Sequence, residues 1–251
     1  MESRPRDVRQ QVEDVRQQVE DVRQQVEDAA LATVAVVRPH LRGWIHAGTF
    51  PLALAAGIVL ICLAGDPLAR VSVAIYATSA ALLFGVSALY HRRRWSPRAE
   101  ALLRRLDHSN IFLIIAGTYT PITLLLLGEQ GHTLLWLVWG GALAGIAFRV
   151  LWVGAPRLLY TPIYIALGWA TVFYLPAFLD RGGAALVTLI IIGGVLYSLG
   201  ALVYAFQRPN PSPRWFGFHE VFHALTLAAF VVHYIAVSMA TYGHVPGGVG
   251  G

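Results

Sequence analysis

The sequence has no lysine, a single cysteine and few charged residues of any kind. All 19 strongly basic side chains are arginines, and charged residues make up 13% of the chain, against about a quarter in soluble proteins. With 56% hydrophobic residues and a mean hydropathy of +0.58, this composition excludes an ordinary soluble domain. The lone Cys62 excludes an internal disulfide framework. The charged N-terminus lacks the apolar segment of a signal peptide, so insertion is expected to depend on transmembrane segments.

Apolar segments of membrane-spanning length fill the chain from Trp44 onward. A helix needs about 20 apolar residues to cross roughly 30 Å of hydrocarbon. The candidate spans lie at 46–65, 70–90, 107–127, 133–153, 158–179, 184–206 and 216–240. Because the linkers between them are short, we predict an all-α integral membrane protein in which a seven-transmembrane helix bundle occupies residues 41–242. Its expected location is the cell membrane, as a multi-pass protein.

Arginine is distributed unevenly among the linkers. The segment HRRRWSPRAEALLRRLD, between the second and third spans, carries six arginines, whereas the alternate linkers GDPLAR, GEQGH and DRGG carry two in total. Since basic residues accumulate on the cytoplasmic side, this asymmetry predicts a cytoplasmic N-terminus and an extracellular C-terminus. Arginines between apolar segments are typical of membrane anchors, so no nucleic-acid partner is expected.

Two terminal segments fall outside the predicted bundle. Residues 1–40 are predicted to form a cytoplasmic tail, which contains DVRQQVE three times over 7–27 with valine at every a and d position. Three such heptads make a marginal coiled coil. Two alternatives therefore remain open: a solvated tail that is helical or disordered, and self-association through the heptads. Residues 243–251 are rich in glycine and are expected to form a flexible tail.

Polar side chains from three predicted helices are expected at one depth of the membrane. Ser87 and His91 end the second span, which runs inward, and Asp107 opens the third. His219 and His223 open the seventh span, which also starts at the cytoplasmic side. Ionisable groups in membrane spans are costly and are usually functional, so this depth is the expected functional site.

The types and spacing of these residues favour a metal site. His219 and His223 are four residues apart and project from one helical face, and His91 can supply a third nitrogen. Three histidines with one open position are the catalytic form of a zinc site, in which the metal activates a water molecule. Asp107 is then expected to hold that water or accept its proton, and Ser87 to donate to a developing oxyanion. The alternatives are Asp107 as a helix-terminal residue favoured by the macrodipole and Ser87 as a small residue at a helix contact.

The stretch from His219 to His223 also matches H-E-x-x-H, the zinc protease signature in which the glutamate, here Glu220, is the general base. The extended signature fails, because Thr226 and Ala229 occupy its glycine and third-histidine positions. The nearest string that resembles the distant Leu-Asp-Gly ligand of membrane proteases, FLDRGG, lies at the opposite predicted end of the bundle. The protease interpretation is therefore disfavoured.

Two further histidines suit the metal site less well. His108 adjoins Asp107 but points about 100° away around the helix. His233 lies about 21 Å beyond His219 along the seventh span. We interpret His233 as a buried polar contact or as part of a cavity lining.

Three blocks of the sequence resemble the signature blocks of the hemolysin III family. They are SALYH, LDHSNIFLIIAGTYTP and HEVFHALTLAAFVVHYIAV, and the resemblance extends over residues 40–242. This family is the bacterial branch of the progestin and adipoQ receptor family and is related more distantly to alkaline ceramidases. The resemblance implies a bundle of this topology, with zinc held near the inner leaflet by His91, His219 and His223. It also implies that Asp107 contacts the water at the metal and that Ser87 assists.

The sequence and the resemblance together predict a zinc-dependent hydrolase of a lipid amide or ester at the inner leaflet, which serves membrane homeostasis. The resemblance to receptor and ceramidase relatives implies a ceramide-like lipid amide as substrate, with membrane lipids as the partners. Two alternatives remain: a non-enzymatic receptor or sensor in which zinc is structural, and a cytolysin, the historical label of the bacterial branch. A fourth protein ligand would indicate a structural metal site, and a cavity reaching the metal would indicate a catalytic one.

Overall fold

The computed structural model of the protein describes residues 12–26, 39–152 and 154–243. Residues 12–26 are helical and are labelled α1. The further helices are α2 (Trp44–Leu63), α3 (Pro67–Arg92), α4 (Pro97–Leu127), α5 (His132–Leu151), α6 (Arg157–Gly168), α7 (Leu175–Phe206) and α8 (Phe218–Gly243). Short 3₁₀ segments, Gly128–Gly131 and Ala170–Tyr174, follow α4 and α6. The predicted all-α class is confirmed for the described residues.

Helix α1 carries the part of the valine heptads that the structure describes. Its seam valines, Val12, Val15, Val19, Val22 and Val26, are each more than half exposed. The remaining heptad residues and residues 244–251 of the predicted glycine-rich tail lie outside the described residues. Helix α1 therefore presents an apolar seam that the bundle does not cover.

Local capping fixes where two of the membrane helices begin. The Asp66 side chain accepts hydrogen bonds from two backbone N–H groups in the first turn of α3, at 2.8 and 3.0 Å, and Pro67 is the first helical residue. Ser96 caps α4 in the same way and is followed by Pro97. A side-chain oxygen at the N-cap satisfies otherwise free N–H groups, and the fixed backbone angle of proline suits the first helical position.

The start of α4 corrects the boundary predicted from the sequence. The apolar pattern places the third span at 107–127 with Asp107 at its start, but the helix begins at Pro97. Hydropathy marks only the part of a helix that lies in hydrocarbon, whereas helical hydrogen bonding continues through the arginine-rich turns that precede it. Asp107 therefore lies well inside α4, and its interpretation as a helix-terminal residue favoured by the macrodipole is wrong.

The region of the fifth and sixth predicted spans, 158–179 and 184–206, has two breaks in its helical structure. Helix α6 ends at Gly168, and a 3₁₀ segment leads into α7 at Leu175. The backbone leaves helical geometry again at Gly183, with φ 76° and ψ 171°, between the two predicted spans. Glycine tolerates this positive φ because it has no Cβ atom. The break at Gly183 agrees with the predicted linker, whereas the interruption after Gly168 was not predicted.

Helix α4 forms the centre of the bundle. It packs against α3, α5, α6, α7 and α8, while consecutive helices from α2 to α8 contact each other and α2 also meets α8. The core includes the fully buried rings of Tyr76, Phe84 and Phe112. This packing places the end of α3, the start of α8 and an inner turn of α4 next to one another.

Five helical stretches within the described residues are long and apolar enough to cross a membrane. They are Trp44–Leu63, Pro67–Arg92, Pro97–Leu151, Arg157–Phe206 and Phe218–Gly243. The large apolar side chains of Trp136, Leu151 and Phe173 are at least 80% exposed. By contrast, the charged residues Arg149 and Glu220 are 1% exposed. An apolar exterior around a partly polar interior suits a lipid environment, so the chain forms an integral membrane bundle of helices.

Candidate metal centre

Three histidines from two helices converge at one end of the bundle. His91 lies in the last turn of α3, and His219 and His223 lie in the first turns of α8. One nitrogen of each ring lies within 4.8 Å of the others, and the Nε2 atoms of His91 and His219 are 3.1 Å apart. All three side chains are buried. This arrangement of nitrogens could hold a metal ion.

Glu220, which stands between the paired histidines, caps the helix. Its Oε2 atom accepts a hydrogen bond from the backbone N–H of Gly217 at 2.8 Å, as the glutamate of a capping box does. Its Oε1 atom lies 3.9 Å from Nε of Arg42. The carboxylate therefore fixes the start of α8, and with it the positions of His219 and His223. This role differs from that of the general base, which the disfavoured protease interpretation assigns to Glu220.

Asp107 and Ser87 lie beside the histidines. The Oδ2 atom of Asp107 is 3.7 Å from the Nε2 atom of His91, the same atom that approaches His219. Ser87 is buried one turn before His91 in α3 and lines the same cavity as Asp107. The structure thus brings together the five residues that the sequence places at one depth. Their chemical roles stay predictions.

The start of α2 packs closely against His91. Gly43, the residue before α2, has φ 78°, a left-handed conformation that costs other residues about 1–2 kcal/mol. A Cβ atom at position 43 would lie 2.8 Å from the Cβ atom of His91. The guanidinium of Arg92 also stacks over Trp44, at 3.9 Å from the ring centre. Glycine is therefore required at position 43 for both its backbone angle and its close approach to the metal centre.

A cavity extends from the histidine cluster into the bundle. Its polar end is lined by Ser87, Asp107, His219 and His223. The lining continues to His233, about 15 Å further along α8 than His223 by helical rise. Most of the cavity surface between these ends is apolar, and its apolar side chains include Leu83, Ile111, Ile114, Ile115, Ile165, Ala201 and Phe222. The shape and lining of the cavity suit a long apolar molecule with one polar end.

His233 also lines a second cavity. Its Nε2 atom donates a hydrogen bond to the carbonyl oxygen of Ile190 at 3.3 Å. Of the two interpretations of His233, a buried polar contact or part of a cavity lining, the second is confirmed, and the polar contact with Ile190 is partly buried. The two cavities share several lining residues, His233 and Trp169 among them, and are therefore adjacent.

The sequence reasoning missed His46 and gave too little weight to His108. His46 lies in the first turn of α2, is 2% exposed and contacts His223. His108 lines the cavity together with Asp107, although the two side chains leave the helix about 100° apart. The Nδ1 atom of His108 is 2.6 Å from Nη2 of Arg149. A histidine at the start of an apolar span was the available signal for His46.

Sequence comparison decides the family. The family described as "Haemolysin-III related" matches residues 34–234. The chain is 33% identical to "Hemolysin-3" of Bacillus cereus over 190 residues, which cover 74% of this chain and 84% of that protein. The chain belongs to the hemolysin III family.

Two further relatives have the same pattern of broad coverage. The chain is 37% identical to "Hemolysin-3 homolog" of Bacillus subtilis (strain 168) over 151 residues, 59% of this chain and 70% of that protein. It is 23% identical to the human "Monocyte to macrophage differentiation factor" over 199 residues, 77% of this chain and 80% of that protein. The resemblance of the three sequence blocks to the hemolysin III family is therefore confirmed. With the apolar helices, family membership establishes a multi-pass protein of the cell membrane.

Proposed function

We propose that this hemolysin III family member is a zinc-dependent hydrolase of a lipid amide or ester, which acts at the inner leaflet in membrane homeostasis. The observation that carries the proposal is the convergence of three buried histidines, Asp107 and Ser87 at one end of a mostly apolar cavity. An apolar cavity with a few converging polar groups is typical of an active site. A fatty amide or ester fits this space, because its acyl chain can occupy the apolar part while its carbonyl group lies at the polar end.

The proposed topology has seven crossings, with the N-terminus in the cytoplasm and the C-terminus outside. The stretches Pro97–Leu151 and Arg157–Phe206 contain 55 and 50 residues, more than twice the roughly 20 needed for one crossing. Each contains a break, at Gly128–Gly131 and at Gly183, and α4 packs against α5 after the first break. Two crossings in each stretch give seven in total. The arginine distribution supports a cytoplasmic position for the histidine cluster.

The donor set fits zinc. Imidazole nitrogen is a preferred zinc ligand, and three protein ligands leave a fourth position open in catalytic sites. His91, His219 and His223 would hold the ion. When bound, zinc supplies a Lewis acid that activates water and polarises a carbonyl group. The cavity reaches the rings of His219 and His223, which supports an open site over a closed structural one.

Asp107 and Ser87 supply the remaining polar groups of the proposed reaction. Asp107 lines the cavity beside His91 and accepts a proton from the attacking water, which it then passes to the leaving amine or alcohol. The Ser87 hydroxyl donates to the carbonyl oxygen as negative charge develops there. The apolar lining holds the acyl chain and aligns the scissile bond with these two groups.

Hydrolysis by the purified protein tests the proposed function. We expect the protein in phospholipid vesicles to release fatty acid from at least one member of a panel of ceramides, N-acyl amines and acyl esters. A chelator is expected to abolish release, and added Zn²⁺ to restore it, because the metal supplies the Lewis acid. Fatty acid is measured by mass spectrometry, with protein-free vesicles as the control. Zinc-loaded protein that hydrolyses no amide or ester in the panel would contradict the proposed activity.

Two other functions each have one observation in their favour. A non-enzymatic receptor or sensor would use zinc to hold α3 and α8 together, and Asp107 lies close enough to His91 to be considered as a fourth ligand. A metal coordination sphere completed by Asp107, without water, would support that function. Cytolysis is favoured by the names of the two Bacillus relatives. Lysis of red cells by the purified protein at low concentration would support it.

We expect the heptads of α1 to mediate self-association. The exposed valine seam would be buried against a second copy of α1, although so short a coiled coil is marginally stable. Changing Val15, Val19 and Val22 together to asparagine is expected to remove cross-linked dimers in membranes, whereas the control Gln17→Asn should not. The amount of dimer is measured by gel electrophoresis after chemical cross-linking. Equal cross-linking of all three proteins would rule out pairing through α1.

A further inference from the structure

We infer that His46 is a positioning residue, which holds the ring of His223 in the orientation that metal binding requires. The inference rests on the proposed zinc site. His46 is contributed by α2, a helix that supplies none of the three nitrogens of the cluster. Its ring is buried, with 2% of the residue exposed.

The ring of His46 contacts His223 face to face. The two ring centres are 3.7 Å apart and the planes are inclined by 12°. Within the cluster the planes are steeply inclined, by 60° between His219 and His223 and by 70° between His91 and His219. Inclined rings can direct their nitrogens at one point, whereas a parallel ring presents only its face. His46 therefore forms a wall against His223 and is not placed as a ligand.

The His223 ring lacks the support that metal-binding histidines usually have. Such a ring normally donates its second N–H to a carboxylate, a carbonyl or water, which fixes its orientation. No hydrogen bond to the His223 ring is found among the described residues, whereas His91 and His219 lie within hydrogen-bonding distance of each other. Among the described rings around His223, that of His46 has the nearest centre, at 3.7 Å against 4.4 Å for His219, and its face-to-face stack can restrict rotation of His223.

Two further aromatic rings pack behind the stacked pair of His46 and His223. Phe84 of α3 meets His46 edge to face at 5.1 Å, and Phe230 of α8 meets Phe84 in the same way at 4.9 Å. Phe230 lies two turns after His223 on the same side of α8. His223 and Phe230 therefore enclose His46 and Phe84 between them. Edge-to-face aromatic pairs are favourable beyond the area that they bury, so the column resists rotation of either histidine.

The geometry assigns this role to the face of His46 and none to its nitrogens. Neither ring nitrogen has a hydrogen-bond partner among the described residues, and both are buried. A flat apolar ring should therefore replace His46, whereas a branched side chain of similar bulk should not. This difference separates positioning by stacking from a role in hydrogen bonding.

The test compares His46→Phe with His46→Leu in the full-length protein. We expect His46→Phe to keep the wild-type zinc affinity, measured by competition with a chelator, and His46→Leu to lose about 10–100-fold, the range typical for loss of a group that orients a metal ligand. The visible absorption bands of the Co²⁺-substituted protein, which report ligand geometry, should match wild type in His46→Phe and shift in His46→Leu. Phe112→Leu removes a fully buried ring in α4 that does not line the main cavity. This control should change the melting temperature without changing the cobalt spectrum.

Two results would overturn the inference. One is an unchanged affinity and spectrum in His46→Leu, and the other is a loss in His46→Phe as large as in His46→Leu, which would assign the role to the nitrogens. The metal measurements do not depend on hydrolysis. Wild-type protein that binds zinc but hydrolyses no lipid would contradict the proposed enzyme and not the role of His46. Wild-type protein that binds neither zinc nor cobalt would contradict both.

Discussion

Changing His219 and His223 together to alanine is expected to abolish zinc binding by the purified protein. The change removes two of the three nitrogens that lie within 4.8 Å of one another and leaves His91 as the only histidine of the cluster. Removing a group that only hydrogen-bonds and orients a metal ligand already lowers the metal affinity about 10–100-fold. Removing two of the ligands themselves should therefore lower the zinc affinity by more than about 100-fold. Zinc per protein, measured by mass spectrometry after dialysis, should fall from the full complement to background.

The matched control for this change lies in the same turn of α8. Glu220→Gln keeps a side-chain oxygen that can accept the hydrogen bond from Gly217 and leaves all three histidines in place. This variant should keep its zinc, because Glu220 is directed towards Gly217 and Arg42 and not towards the cluster. If the double alanine variant also kept its full zinc content, the metal site described by these residues would be wrong.

Asp107→Ala is expected to separate zinc binding from catalysis. The three histidines remain, so the zinc content should equal that of the wild type, while lipid hydrolysis should fall by about 10²–10⁴-fold, the range for loss of a general acid–base group. The reason is that no other described carboxylate lines the cavity at the histidine cluster. Zinc content and fatty acid release are measured on the same preparation.

A second residue of α4 supplies the control for Asp107→Ala. Ser109 is buried in the same helix but does not line the main cavity, so Ser109→Ala should keep both zinc and activity. Full hydrolysis by zinc-loaded Asp107→Ala would show that Asp107 has no catalytic role. Loss of zinc from Asp107→Ala would instead identify Asp107 as a fourth ligand and support the structural, non-enzymatic site.

Two features could be predicted because they depend only on residues that are neighbours in the sequence. They are the membrane class and the break between the fifth and sixth spans. Hydropathy over about 20 residues depends only on neighbouring side chains, and the glycines at 182 and 183 mark a break that is itself local. The start of α4 was less accessible. The helical turns between the Ser96 cap and Asp107 contain several arginines, so a hydropathy profile does not count them as part of a membrane span. The interruption after Gly168 was missed because the apolar pattern of the fifth predicted span continues through it.

The sequence by itself determined the apolar helices, the four-residue spacing of His219 and His223, and the common depth of the polar groups. These follow from helical rise and from the cost of placing charge in hydrocarbon, which act along one helix at a time. Depth along a helix says nothing about the direction in which its side chains point towards other helices. The rotation of α2, α3, α4 and α8 about their axes is set by packing across the bundle. Only the tertiary structure therefore decided that His91 meets His219, that Glu220 turns to its own helix start, and that His46 lies flat against His223.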